Sequence, residues 1–456
     1  MKILFICPPT ETPFPCQSEY PIGLLYLERI LYDNGHECLV RNYYSQSFEE
    51  AKKQILKEVA DFKPNIVGLN CMSMNRTSCF RLANMLKEIN PEIKLIMGGV
   101  HASSMYEQIL LNFPVDAIVL GEGELTILPL IKAFENKKKL NKIKGIAFKE
   151  SESGKIYFTG PQQHIEDLDA LHFPRHELFE HQIKQTKNAR MMTSRGCPFG
   201  CTYCSTSAYW GRRWRPRSPA NVVAEIEEII KKMPFVEEIF FYDDTFTVDN
   251  QRVIDICDMI IKKGIKLRLK CSGRVDRVSR EMLLKMKEAG FADIAYGIES
   301  GSAQILKAMN KGITKEQIKA AIDLTNEVGL TWHGFMMVGC PGETWDTVKE
   351  STEFVKTLKN FDTGSVALLE IYPNTAIYEK AKENGFDESL WLTDAPVPHY
   401  TYEHSEEELK KMAIYIVAQS KLNKNVFKLI SFSLGYFFQK PGKAIKYAIR
   451  YLKGIK

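Results

Sequence analysis

Three cysteines stand on one short stretch of this chain, Ser194-Arg195-Gly196-Cys197-Pro198-Phe199-Gly200-Cys201-Thr202-Tyr203-Cys204-Ser205. At intervals of four and three residues their thiolates can face a single inorganic site, and Gly196, Pro198 and Gly200 let the backbone wrap it. The number of ligands is informative. A structural zinc site takes four, whereas iron–sulfur clusters are held by Cys thiolates. A four-iron cluster with three protein ligands keeps one iron open to a further partner.

The spacing Cys-x3-Cys-x2-Cys resembles that of the radical S-adenosylmethionine (SAM) superfamily. The resemblance implies a 4Fe-4S cluster on Cys197, Cys201 and Cys204 whose free iron is chelated by the amino and carboxylate groups of SAM. An electron from the cluster then cleaves the sulfonium, and the deoxyadenosyl radical formed takes hydrogen from unreactive carbon. Tyr203 stands where the family usually has an aromatic. A zinc knuckle with a remote fourth ligand is the alternative, although no second Cys or His pair at zinc spacing follows.

At 456 residues the chain has room for about two to three domains, each with its own core. Eleven cysteines are an odd count for a disulfide framework. Cys7, Cys16, Cys38, Cys71, Cys79, Cys257, Cys271 and Cys340 show no pairing pattern, which points to a reducing cytoplasm. The opening Met1-Lys2-Ile3-Leu4-Phe5-Ile6-Cys7-Pro8-Pro9 is too short for a signal-peptide core and ends in prolines, as a buried first strand would. No segment approaches the roughly 18 apolar residues that span a bilayer. The net charge of +5 is uneven: residues 427–456 hold seven Lys or Arg and no acid, leaving 54 basic against 56 acidic residues elsewhere. The body therefore has no nucleic-acid-like excess, and no nucleic acid is expected as a partner.

Residues 2–135 alternate strand and helix patterns. Apolar runs at Lys2 to Cys7, Glu37 to Arg41, Asn65 to Cys71 and Lys94 to Met97, with a last unit from Val115 to Phe134, are separated by helical periodicities, the first of them ending at Gly35. Five such units predict a parallel, doubly wound sheet that binds its ligand at the carboxyl ends of the strands. The small and polar residues cluster there: Asn70, Ser73, Gly98-Gly99-Val100-His101-Ala102-Ser103 and Gly121-Glu122-Gly123-Glu124.

These loops resemble the cobalamin-binding domain that precedes one large class of radical SAM enzymes, and the likeness spans nearly all of 1–135. The resemblance implies corrin contacts from Ser73, Gly98, Gly99, Gly121 and Glu122, with His101 either at the corrin edge or simply exposed. The Asp-x-His-x-x-Gly motif that offers a lower-face histidine to cobalt in methionine-synthase-like domains is absent, the first-strand loop being Pro8-Pro9-Thr10-Glu11-Thr12-Pro13. The class commonly lacks it, so the expectation is cobalamin without a histidine on cobalt; a domain that has lost its cofactor is the alternative.

Residues 136–185 read as a connector with two short strand-like pieces around Ser151-Glu152-Ser153-Gly154, and its histidines as exposed. From Arg190 to Tyr372 the alternation resumes with strands at Met191 to Ser194, Ile239 to Tyr242, Lys266 to Ser272, Asp293 to Ile298, Trp332 to Val338 and Ser365 to Ile371. Ser218 with Pro219, and Thr314 with Gln317, mark helix starts. Six units suit the partial barrel of the radical SAM fold, with function at the strands' C-terminal ends.

Each strand end carries polar groups suited to SAM. The Asp243–Asp244 pair resembles the motif that meets the SAM amino group, Glu299 and Ser300 lie in a segment resembling the fourth-strand SAM motif, and Gly339 corresponds to the adenine contact. Ser272 and Arg274 close the third strand, where Arg could fork onto a carboxylate. Arg212, Arg213, Arg215 and Arg217 either grip an anionic group of the substrate or lie on the surface, and Cys340 reads as a small buried core residue.

The expected architecture is α/β: a cobalamin-binding-like doubly wound domain (1–135), a linker (136–185), a partial (βα)6 radical SAM barrel (186–385) and a helical C-terminal region (386–456). The basic, aromatic tail 427–456 is a candidate for contact with the inner face of a membrane, in an otherwise cytoplasmic chain. The favoured activity is methylation of an unactivated carbon of a hydrophobic small molecule or lipid, drawing on SAM and cobalamin, with flavodoxin or ferredoxin as electron donor. The alternatives are a cyclisation, oxidation or ring rearrangement without methyl transfer, and a non-catalytic corrinoid or cluster carrier.

Overall fold

Apolar strands that are covered on both faces pair in parallel, and this is how the first sheet of the computed structural model forms. The structure describes residues 1–10, 20–150, 153–361 and 366–421. Strands β1 (Lys2–Cys7), β2 (Glu37–Asn42), β3 (Ile66–Asn70), β4 (Lys94–Gly98), β5 (Ala117–Val119), β6 (Ile146–Lys149) and β7 (Ile156–Phe158) lie in the order β2-β1-β3-β4-β5-β6-β7. One face packs Ile3 and Phe5 with Leu25, Leu31 and Ile127; the other packs Leu4 and Ile6 with Ile55, Phe80 and Leu86. The two strand-like pieces of the connector are β6 and β7. They pair antiparallel beyond β5, so the sheet continues past residue 135.

The second sheet contains β8 (Asn188–Met191), β11 (Glu238–Phe241), β12 (Arg268–Gly273), β13 (Phe291–Glu299), β14 (Thr331–Val338) and β15 (Val366–Leu368), all parallel, in the order β15-β14-β13-β12-β11-β8. Its first strand stops at Met191, short of the expected Ser194. Asp243, just past β11, accepts hydrogen bonds from Thr193 N, Thr193 Oγ1 and Ser194 Oγ, each at 2.6 Å, and turns the chain out of the sheet. Ser194–Arg195 then becomes β9, paired antiparallel with Arg215–Pro216, β10.

Burial alternates along this sheet. Ile239, Phe241, Leu269, Cys271, Ile294, Tyr296 and Trp332 pack under the helices, while Phe240, Ser272, Ala295 and Phe335 face the other way and remain partly or largely accessible. Tyr242 and Phe335 are each 47 % exposed on that face. A parallel sheet ordinarily has both faces covered, so a bare face carrying large apolar groups marks a binding surface.

The helix starts follow the sequence. Ser218 caps the helix Pro219–Lys232, and Thr314 with Gln317 forms a capping box for Lys315–Val328. The last described helix, Glu406–Lys421, sends Leu409, Met412 and Ile416 into the core of the half-barrel, so this part of the C-terminal region shares that core. The basic tail 427–456 lies outside the described residues. Among those described, no helix is long and apolar enough to cross a membrane.

Candidate active site at the domain interface

The cysteine loop is braced from several sides. Cys197, Cys201 and Cys204 are free and partly accessible. Gly196 adopts φ +81°, and a Cβ there would stand 2.1 Å from the Arg213 carbonyl oxygen, so the turn admits only glycine. The Arg274 guanidinium stacks over the Phe199 ring at 3.6 Å and donates to the Lys311 carbonyl (2.8 Å) and to Asp276 (2.9 Å). Asn310 Nδ2 donates to the Gly200 carbonyl at 2.8 Å. Arg274, expected to fork onto a carboxylate of SAM, is thus engaged in holding the loop.

Burial pushes the Cys197 thiol above its ordinary value, with the Thr245 hydroxyl at 3.5 Å opposing this. A coordinating metal would hold that thiol deprotonated. Among the described residues no three His, Cys, Asp or Glu side chains close on a single-ion site. A cluster of several irons puts its thiolates on different metals, so the thiols need to converge at the wider spacing of a cluster rather than on one ion; Cys204 is near enough for its charge to act on the Cys197 thiol.

Beyond the loop the strand ends divide into two groups. Asp243 is buried and fully used by Thr193 and Ser194. Ser300 is likewise used, sharing hydrogen bonds with Ser351 Oγ (2.9 Å) and Ser302 N (3.1 Å). Gly339, at φ +94°, lies against Leu409, with Cys340 buried beside it as expected. Asp244, by contrast, is open to solvent although walled by protein, and accepts from Thr206 Oγ1 at 2.8 Å. Withdrawal from bulk water, with the Asp243 charge adding to it, holds its carboxyl above the usual range. Ser272 stands partly accessible on the bare face of β12.

Tyr203 and Glu299 are brought together by a residue that the sequence reading missed. Lys311 Nζ donates to Glu299 Oε1 at 2.7 Å and to the Tyr203 hydroxyl at 3.3 Å, tying the cysteine loop to the end of β13. Glu299 adopts φ +64°, and Gly297 leaves the space the pair occupies: a Cβ there would lie 2.4 Å from Glu299 Oε1 and 2.7 Å from Lys311 Nζ. The only sequence signal for Lys311 is its place in the Asn310-Lys311-Gly312 turn, which says nothing of its partner.

The cleft in the first sheet opens between β1 and β3, where strand order reverses. It is a partly open cleft of about 220 Å³ walled by Phe5, Leu24, Leu27, Ile96, Met97 and Val119. Gly98, Gly99, Gly121 and Glu122 line it. Ser73 and His101 do not. Residues Val100–Ser104 form a short helix that turns His101 inward, where it is fully buried, 3.1 Å from Ser73 Oγ and 5.3 Å from the Trp391 ring. Burial, with the Arg76 charge, lowers its pKa to about 3, so it is neutral. Nothing lies within 4 Å of a Cβ placed on Gly23 or Gly121, both on the cleft wall, so their missing side chains are what keeps the cradle open.

The far wall of the cleft is Met192, Arg195, Tyr209 and Trp210, from the segments flanking the cysteines. Arg195 donates to Glu122 (2.7 Å) and Glu124 (2.6 Å), and Arg215 donates twice to Glu122 (2.9 and 3.0 Å). Burial works to raise the Glu122 pKa, but the Arg215 hydrogen bonds and the Arg195 charge win and hold it below the usual range. Arg217 is buried on Glu225. Of the four arginines read as a substrate grip or a surface patch, two are therefore interior ion pairs; Arg212 and Arg213 are exposed.

The donor sets fit the three expected groups: three free thiols on a glycine-turned loop for the cluster, the accessible Asp244 carboxylate beside it for an ammonium, and a glycine-floored apolar cleft for the corrin. Comparison with known proteins agrees. Residues 191–355 match the model of the radical SAM superfamily, and residues 17–131 that of the B12 binding domain. An uncharacterized methyltransferase of Pyrococcus horikoshii is 31 % identical over 443 residues, covering 94 % of this chain and 95 % of its own. The anaerobic magnesium-protoporphyrin IX monomethyl ester cyclase of Rubrivivax gelatinosus is 30 % identical over 72 % of this chain and 60 % of its own. The cobalamin-dependent SAM radical enzyme OxsB, with aqua-cobalamin and SAM bound, shares the fold with a TM-score of 0.72 at 22 % identity, over 84 % of this chain and 60 % of its own. The chain belongs to the radical SAM superfamily, in the group that carries a B12-binding domain and takes a 4Fe-4S cluster, SAM and cobalamin as cofactors.

Proposed function

We propose that this enzyme methylates an unactivated carbon of a hydrophobic small molecule or lipid. The observation that carries the reading is the shared wall: Arg195, Tyr209 and Trp210, which flank the three cysteines, also line the B12 cleft. When bound, the cluster with SAM supplies a hydrogen-abstracting radical and the corrin a transferable methyl group. The chain's own residues do the rest. Lys311 and Glu299 fix Tyr203, and with it the cysteine loop, to the end of β13; Asp244 offers an acceptor for the SAM ammonium, and the bare face bearing Phe240, Tyr242 and Phe335 offers an apolar surface to the substrate.

Product analysis tests it. Methyl transfer to carbon forms S-adenosylhomocysteine beside deoxyadenosine during turnover of the reconstituted enzyme with flavodoxin or ferredoxin as reductant. Deoxyadenosine alone would favour the second reading, a radical cyclisation or oxidation, which the cyclase relative supports. Absence of both with substrate present would leave a carrier. The lipid-like substrate carries its own test: deleting residues 427–456 should weaken binding to anionic vesicles, and unchanged binding removes the membrane contact.

A further inference from the structure

The buried charges between the cysteine loop and the cleft of the first sheet form one connected set. β9 and β10 are the two strands between which the cysteine loop and the helix Ser205–Trp210 are slung. Arg195 and Arg215 are direct partners across that ribbon, and both end on Glu122. Glu122 also accepts from Ile165 N at 2.9 Å, and His164 Nδ1 stands 3.4 Å away. From the slung segment, the Tyr209 hydroxyl donates to the Gly121 carbonyl at 2.6 Å. Arg195, Arg215, Glu122 and Glu124 are all under 9 % exposed, so two carboxylates and two guanidiniums balance one another out of water. Such a set is stable only when complete, because removing one member leaves its partner charged and buried.

The same contacts therefore complete two sites. On one side they fix both flanks of the cysteine loop; on the other they set Arg195, Tyr209 and Trp210 as the far wall of the B12 cleft. We propose that Glu122, Arg195, Arg215 and Tyr209 are positioning residues that couple the two cofactors, so that cluster assembly on Cys197, Cys201 and Cys204 tightens cobalamin binding and bound cobalamin favours the assembled loop. The inference rests on the assignment of the two cofactors to these two sites. Each cofactor binds the latched arrangement better than the unlatched one, and that difference makes the coupling reciprocal.

The test is the affinity of the full chain for hydroxocobalamin, followed by quenching of protein fluorescence, without iron and after anaerobic cluster reconstitution. In the wild type the cluster should tighten binding by about 5-fold or more, within the usual range of coupling between sites. Glu122→Gln should bring that ratio close to one. Tyr209→Phe, which removes one hydroxyl and keeps the ring, should lower it while circular dichroism stays unchanged, so the test does not depend on Glu122→Gln folding. Glu28→Gln breaks a different ion pair, buried Glu28 with half-buried Arg175 at 3.0 Å, and should leave the ratio at its wild-type value. A wild-type ratio of one, a wild-type ratio in both latch variants, or equal loss in Glu28→Gln would overturn the proposal. No cobalamin binding by the wild type in either state would instead overturn the cofactor assignment, and the coupling with it.

Discussion

Gly23 separates stability from cofactor binding. It is the second residue of the helix Ile22–Asp33, lines the cleft of the first sheet, and has nothing within 4 Å of the place a Cβ would take. In Gly23→Leu the backbone gains: leucine exceeds glycine by up to about 1 kcal/mol in a helix, less near its start. The Cβ displaces no neighbour, and the position is exposed, so the longer side chain has solvent to turn into. The cofactor-free protein should be no less stable than the wild type, and more stable by up to about 0.5 kcal/mol in urea unfolding. With the corrin placed in this cleft as proposed, the new side chain would compete with it for space. Forcing it aside costs about 1–3 kcal/mol, so hydroxocobalamin affinity should fall about 5- to 150-fold. Binding at wild-type strength in a stable variant would refute the placement of the corrin. Loss of binding together with loss of stability would refute the claim that the site is open.

Further perturbations have equally definite outcomes. Gly99→Ala puts a Cβ at φ +103°, 2.7 Å from the Cys71 carbonyl oxygen and 2.8 Å from Asn70 Oδ1; it should destabilise by about 2 kcal/mol or more by denaturant titration. Lys311→Met strands the buried Glu299 carboxylate and should cost about 3–5 kcal/mol, part of which Glu299→Gln restores in the double variant, as a double-mutant cycle would read. Burial raises the Glu225 pKa, but Arg217 and His176 outweigh it and the net shift is downward. Its contribution to stability is therefore complete above the unfolded carboxylate value near 4.5 and lost as pH falls through the depressed folded value. Glu225→Gln should flatten the acid limb of the stability profile, and an unchanged limb would contradict the ion pair.

What was legible in the sequence was local. The cysteine spacing, the alternation of βα units and the glycine loops at strand ends depend on neighbours in the chain, and the structure places Gly98, Gly99, Gly121 and Glu122 in one cleft. What escaped was set by distant partners. Arg215 reads as one of a run of surface arginines until Glu122, 93 residues away, is found beneath it. His101 reads as a loop histidine because Trp391, which covers it, comes from the far end of the chain. Lys311 acquires meaning only from the left-handed turn at Glu299 and the room left by Gly297. Asp243 marks the limit of reading by motif: it occupies the expected strand end, yet Thr193 and Ser194 use its carboxylate to shape the loop.

The account depends above all on three thiolates holding a cluster with one iron left for SAM. Anaerobic reconstitution with iron and sulfide, followed by metal analysis and electron paramagnetic resonance of the reduced protein with and without SAM, addresses this directly. Four irons per chain with a reduced-cluster signal that SAM alters, both lost in Cys197→Ala, Cys201→Ala and Cys204→Ala, is the result the account predicts. One tightly bound zinc in place of iron, or a cluster signal indifferent to SAM, would contradict it.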